Sequence, residues 1–294
     1  MDRTASRRLL AFCLLGSLTL HALAARAAGP VWALHGAHNT VYLAGSVHLL
    51  PAQDSALPAA FDRAYGASSK IVMEMDLGKL DPLAVASWML EHGSLPPGTT
   101  LRDLVGAERY ARVSAAAAEL GLPAAVLDQQ APWVVSIELA DLEFMRLGLD
   151  PQKGVEEQLL ARTRADRKPT AGLETLEEEL GGLAALPKQE QVRMLDQTLD
   201  DLRQSQDELR EVVSAWRSGD AAKLAALLSR DYRSFPALYR QLVTARNQRW
   251  LPQIEALLQE SDDCMVVVGS LHLVGESGLL ELLRRDGFTP AQLN

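Results

Sequence analysis

The sequence is poor in the features that identify many protein classes at once. It has two cysteines, Cys13 and Cys264, and aromatic residues make up only 5 % of it. It contains no HExxH, no P-loop, no GxGxxG and no G-x-S-x-G elbow, so zincin, nucleotide-binding and serine-hydrolase readings have no motif to stand on. No repeat of 20–50 residues and no low-complexity linker is present, which excludes solenoid architectures. Beyond the N-terminus, no apolar run is long enough to cross a bilayer.

What is present begins with a leader. Arg3, Arg7 and Arg8 precede the mostly apolar stretch Leu9–Leu23, and small-x-small sites follow at 22–24 and 25–27. This is the pattern of a secretory signal peptide over residues 1–27, and it predicts export to the periplasm or beyond. Its loss would remove four of 29 basic residues and one of 38 acidic ones, leaving 25 against 37 and a net charge of −12. So acidic a chain repels phosphate backbones, which argues against a nucleic-acid partner. Cys13 would leave with the leader, so no intrachain disulfide is expected. Cys264, inside DDCMVVVG, reads as a small buried apolar residue.

Residues 28–294 read as a single α+β domain. Val31–Leu34 and Thr40–Ala44 form a hairpin, Lys70–Met75 is a third strand, Lys168–Ala171 a further candidate, and Cys264–Val268 a last one. Between them, 77–260 is dominated by helical periodicity, over Pro82–Leu90, Ala107–Leu120, Pro132–Leu147, Pro187–Trp216, Ala221–Ser229 and Phe235–Leu258. Ser277–Arg285 closes the chain as a helix. The expected architecture is a central mixed sheet built from the two ends of the chain around a large helical insertion.

Two near-copies of one turn carry the chemistry. GSVHLL at 45–50 and GSLHLV at 269–274 each follow a β-like run. A glycine at a strand end lets the backbone turn sharply, and a histidine three residues on reaches the rim of the sheet. Glu74, in the apolar strand KIVMEM, is costly to bury unless paired or metal-bound. His48, Glu74 and His272 therefore make a two-histidine, one-carboxylate set suited to Zn, Mn, Co or Fe(II). Glu174 in AGLETLEEEL is a general base or further ligand, or else an acid favourably placed at a helix N-terminus. Arg246 and Asn247 orient a carboxylate or oxyanion if they face the site, and otherwise form a solvated helix face, which their position alone favours. His35, His38 and His92 read as loop residues facing solvent.

These segments resemble a family. YLAGSVHLLP, KIVMEMDL, GLD at 148–150, AGLET, ARNQRWLPQI and VVVGSLHLVGESGLLELLRRDGF occur in the order seen in the TraB/GumN family, itself similar to the TIKI metalloproteases. The resemblance implies a fold shared with ChaN-like and erythromycin esterase-like proteins. It also implies divalent-metal-dependent (Mn, Co or Zn) hydrolysis of a peptide or protein substrate. By position it makes His48 and His272 metal ligands with Glu74, and Glu74, Glu174 and Arg246 the catalytic groups. The alternatives are a periplasmic protein that binds peptide, haem or metal without turnover, and a metal-free esterase with a histidine base.

Overall fold

The structure, a computed structural model, describes residues 29–202, 206–230 and 235–293; the expected leader at 1–27 lies outside the described residues. The fold is α+β. In chain order the elements are β1 (Val31–His35), β2 (Thr40–Ser46), β3 (Leu50–Pro51), α1 (Ala59–Ala67), β4 (Lys70–Met73), α2 (Pro82–Gly93), α3 (Leu101–Val105), α4 (Ala107–Glu119), α5 (Pro132–Arg146), β5 (Leu149–Asp150), α6 (Val155–Asp166) and β6 (Thr170–Gly172). They continue with α7 (Leu176–Ala184), α8 (Lys188–Asp201), α9 (Gln206–Ser218), α10 (Ala221–Leu228), α11 (Pro236–Tyr239), α12 (Ala245–Leu257), β7 (Cys264–Gly269), α13 (Ser270–Leu273), α14 (Leu279–Arg285) and β8 (Ala291–Gln292). A π-helical turn, Arg240–Thr244, joins α11 to α12.

The main sheet has six strands in the order β6-β4-β7-β2-β1-β8. β6, β4, β7 and β2 run parallel, while β1 is antiparallel to both β2 and β8. The middle of this order explains the sequence of β7. A parallel strand covered by helices on both faces reads as a continuous apolar run, and Cys264 through Val268 are all buried. Burial also pushes the Cys264 thiol up to about 11, which fits a packing residue and not a nucleophile.

A second apolar cluster lies among the helices of the insertion, around Leu101, Leu127, Trp133, Leu139 and Leu195. The helical stretch expected over 187–216 is two helices, α8 and α9. The stretch 235–258 is broken into α11, the π turn and α12. The two-residue strands β3, β5 and β8 are too short to show a period, and a sequence reading passes over them, as it does over the helices α1 and α6.

β4 is also shorter than its sequence suggests. It ends at Met73, so Glu74 sits just past the strand and not within its alternation. That moves the glutamate to the C-terminal rim of the parallel strands, the usual place for a site in an open α/β sheet.

Candidate functional site

The two Gly-Ser-x-His turns meet. Ser46 pairs in register with Gly269, so both motifs leave the same edge of the sheet on neighbouring parallel strands. The Ser270 hydroxyl donates to the Ser46 carbonyl at 2.8 Å. A Cβ on Gly45 would lie 2.9 Å from Ser270 Oγ and 3.2 Å from Leu273 Cδ1, so the first glycine is what lets the second motif pack against it.

From this edge the histidines take different partners. His272 sits on the single turn α13 and is buried. Its Nδ1 contacts Asn247 Oδ1 at 2.7 Å, and its Nε2 lies 3.9 Å from Glu74 Oε1. Burial, with the Arg246 charge added, pulls its imidazole down to about 4 against the opposing pull of Glu74, so it is neutral at pH 7.

His48 faces outward, with 70 % of its side chain exposed, and its Nδ1 lies 3.1 Å from Glu156 Oε1. Glu156 raises the His48 imidazole above its ordinary value, although water screens a pair so open on one side. Glu156 reaches it because α6 docks on the 47–48 turn. Val155 N–H donates to Val47 C=O, and a Cβ on Gly154 would collide with the His48 carbonyl at 2.1 Å. The Ser46 hydroxyl donates to the same Glu156 oxygen at 2.5 Å.

Arg246 and Asn247 belong to the interior and not to a solvated helix face. Arg246 is 7 % exposed and Asn247 fully buried. The Arg246 guanidinium donates to Glu74 Oε2 at 2.6 Å and, through Nε, to Glu174 Oε1 at 2.8 Å. It also stacks over Trp250, whose indole N–H donates to Glu174 Oε2 at 3.2 Å. The π turn immediately before α12 adds a residue to the helix just ahead of Arg246, a distortion common at functional sites.

Glu74 receives a second hydrogen bond from Gly269 N–H at 2.6 Å. Burial would push its carboxyl up. The positive charge beside it and this backbone bond outweigh burial and hold it below the usual carboxylate range. In the acid range where Glu74 titrates, the pulls against burial are, in order, the His272 imidazole, the Arg246 guanidinium and the Gly269 amide. Burial keeps Glu174 above its ordinary value despite Arg246.

The third carboxylate is Glu179, on the first turn of α7. Thr175 caps that helix through a box with Glu178, and this fixes the turn that presents Glu179. Burial, then the charges of Glu74 and Glu174, push Glu179 up to about 7. Its Oε2, like Glu156 Oε2, is buried without a hydrogen-bond partner. Among the described residues, Glu74, Glu174 and Glu179 form the group whose ligand atoms all lie within 4.8 Å of one another. Glu74 and Glu179 also line a cavity of about 290 Å³ with His48, Glu156 and Glu157. A separate groove lies between α5 and α8, lined by Phe144, Leu147, Met194, Phe235 and Leu238.

Comparison with known proteins places this arrangement. The TraB/PrgY/gumN family profile matches residues 30–292, the span that holds every group described above. The chain belongs to the TraB/PrgY/gumN family. The uncharacterized protein YbaP of Escherichia coli (strain K12) is 25 % identical over 244 residues, covering 83 % of this chain and 87 % of the relative. The same protein of Shigella flexneri matches equally. No solved structure matches the chain significantly.

Of the residues singled out from the sequence, this TraB/PrgY/gumN chain brings Glu74, Glu174, Arg246 and His272 into direct contact or nearly so. His48 stands across the cavity and pairs with Glu156, outside the three-carboxylate group. Glu156 and Glu179 escape a sequence reading because each sits in an acidic run at a helix start, where charge is ordinary. Only tertiary placement distinguishes Glu179 from Glu177 and Glu178. His92 is half-buried and stacks on Trp88 at 4.4 Å, unlike the solvent-facing loop residue expected.

The raised Glu179 carboxyl has a measurable consequence. In the unfolded chain it ionises near 4.5, and in the folded chain near 7. The folded state therefore holds the extra proton between those values. The associated stability is fully present below about pH 4.5 and is lost as pH rises to about 7. Glu179→Gln, which mimics the protonated acid, is expected to match the parent's melting temperature near pH 4 and exceed it by several degrees at pH 8. Thermal melts in chelator at the two pH values check this.

Proposed function

We propose that this chain is an exported hydrolase that depends on a divalent metal (Mn, Co or Zn) and acts on peptide bonds. The observation that carries the reading is the gathering of Glu74, Glu174 and Glu179 within 4.8 Å at the C-terminal edge of the parallel strands, beside the neutral His272. The donor set fits such an ion. Carboxylates and imidazole suit Mn and Zn, and Glu179 Oε2 is a buried oxygen still lacking a partner. Glu74 and Glu179, with His272 beside Glu74, would hold it. When bound, the ion would polarise a substrate carbonyl and make a bound water acidic.

The chain's own residues supply the rest. Glu174, which burial keeps above its ordinary value and which is not needed to hold the ion, is placed to accept and return a proton. Arg246 holds Glu74 ionised and fixes its direction. His48 and Glu156, at the cavity's outer wall, meet the substrate as it enters. The acidic surface and the leader-like N-terminus support a peptide or protein substrate outside the cytoplasm and disfavour nucleic acid.

The test pairs titration calorimetry of the chelator-stripped protein, using Mn(II), Co(II) and Zn(II), with cleavage of a fluorogenic peptide library. Wild type is expected to bind one ion and cleave. Glu179→Gln is expected to weaken binding at least about tenfold. Absence of binding, with cleavage that survives chelation, sinks the proposal. Arg246 favours a second reading, metal-free hydrolysis with Glu179 as base, because its guanidinium already balances part of the charge of Glu74 and Glu174. Chelation separates the two.

A further inference from the structure

The Asn247 side chain is fully buried and makes three contacts, and their chemistry fixes a proton. Its Nδ2 donates to two backbone carbonyls, those of His272 at 3.0 Å and Ser277 at 2.8 Å. Carbonyl oxygens accept only, so the amide can be oriented in one way, with Oδ1 turned toward the imidazole. Oδ1 also accepts only. The atom facing it at 2.7 Å, His272 Nδ1, must therefore carry the hydrogen. The other ring nitrogen agrees. Nε2 lies 3.3 Å from Arg246 Nη1, and a guanidinium nitrogen donates only, so Nε2 presents a lone pair. Packing supports the same pose, with the ring centroid 4.5 Å from that of Trp250.

We infer that Asn247 is a positioning residue that locks His272 in the Nδ1–H tautomer and aims the bare Nε2 at the Glu74–Arg246 centre. Histidine's two nitrogens are not equivalent as ligands or bases, and the hydrogen bond made by one decides what the other can do. A shift to the Nε2–H form would turn a donor hydrogen toward Arg246, which is itself a donor, and remove the lone pair from the site. The adjacent Arg246 and Asn247 thus divide the work on α12. One balances the carboxylates, and the other sets the imidazole. The tautomer stands on geometry alone; the use of Nε2 as ligand or base rests on the function proposed above, so the two fail separately.

Long-range ¹H–¹⁵N correlation spectra of the chelator-stripped full chain at pH 7 read the tautomer without any activity. His272 is expected to show a protonated Nδ1 and a pyridine-type Nε2. Asn247→Ala removes the 2.7 Å acceptor and is expected to shift the ratio about five- to tenfold toward Nε2–H, the weight of one hydrogen bond. Asn247→Asp keeps an acceptor facing Nδ1 but gives up the donor to the His272 and Ser277 carbonyls, so it is expected to hold the Nδ1–H form at a cost in stability. Mn(II) affinity is expected to fall about 10–100-fold in the alanine variant and to recover in part with aspartate. An Nε2–H or doubly protonated His272 in the wild type overturns the inference, as does an Asn247→Ala spectrum with the same tautomer ratio. Should neither variant fold, the wild-type tautomer still decides, because an Nε2–H form there overturns the inference.

Discussion

Arg246→Met is expected to destabilise the protein by about 3–5 kcal/mol at pH 7, the cost of removing one partner from a buried charge cluster. The guanidinium is 9 % exposed and lies against carboxylates that are 12 % and 1 % exposed, so water cannot take its place without reorganising the site. Glu74 is the more sensitive of the two. Its carboxyl is held below the usual range, so its stabilising contribution is present above about pH 4.5 and is lost as pH falls through the folded value. Without Arg246, both carboxyls become buried acids that prefer their protons. The penalty therefore shrinks as pH is lowered from 7 toward 4, where protonation removes the uncompensated charge. Urea denaturation at pH 7, 5.5 and 4 measures the trend. Arg246→Lys keeps a charge and loses the fork that reaches two carboxylates at once, so it is expected to fall between the parent and methionine. A loss below about 1 kcal/mol that does not vary with pH would show that the cluster is not a charge-balanced unit.

The cluster also shows what a sequence can and cannot disclose. The strands β1, β2, β4 and β7 were legible because buried parallel and antiparallel strands leave apolar runs bounded by turns. The Gly-Ser-x-His turns were legible because a glycine and a polar rim residue follow those runs at fixed spacing. Glu74 stood out as an acid beside an apolar strand. By contrast, Arg246 lies in TARNQRW, a polar stretch of helix whose composition is that of a solvated face. Its burial comes from Glu74 and Glu174, which are 172 and 72 residues away along the chain. Glu179 and Glu156 are hidden for the converse reason. Each is surrounded by acids of the same kind, and only the docking of α6 on the 47–48 turn or the capping of α7 by Thr175 selects one of them. His48 shows the limit of motif symmetry. The two turns share a sequence and an edge of the sheet, yet α13 buries one histidine and the 47–48 loop leaves the other open.

Trp216→Ala is expected to cost about 3–5 kcal/mol, because a fully buried indole leaves a cavity that its neighbours only partly fill. Trp216 lies near the end of α9, packs its ring 6.0 Å from that of Phe61, and donates its indole N–H to the Gly45 carbonyl at 2.8 Å. Gly45 is the first residue of the first Gly-Ser-x-His turn. One side chain thus ties the helical insertion to the strand end that carries the site. The hydrogen bond and the packing can be separated. Trp216→Phe keeps most of the apolar contact and drops the donor, leaving a buried carbonyl without that partner. It is expected to cost about 1–3 kcal/mol, less than the alanine change. If Gly45 transmits the loss to the site, the His272 imidazole signals move in both variants, and they move further in alanine. Equal costs for phenylalanine and alanine would mean that the hydrogen bond, and not the volume, holds α9 on the sheet. Unmoved His272 signals would mean that the second motif keeps its geometry through Asn247 and the Ser270 bond alone, whatever happens at Gly45.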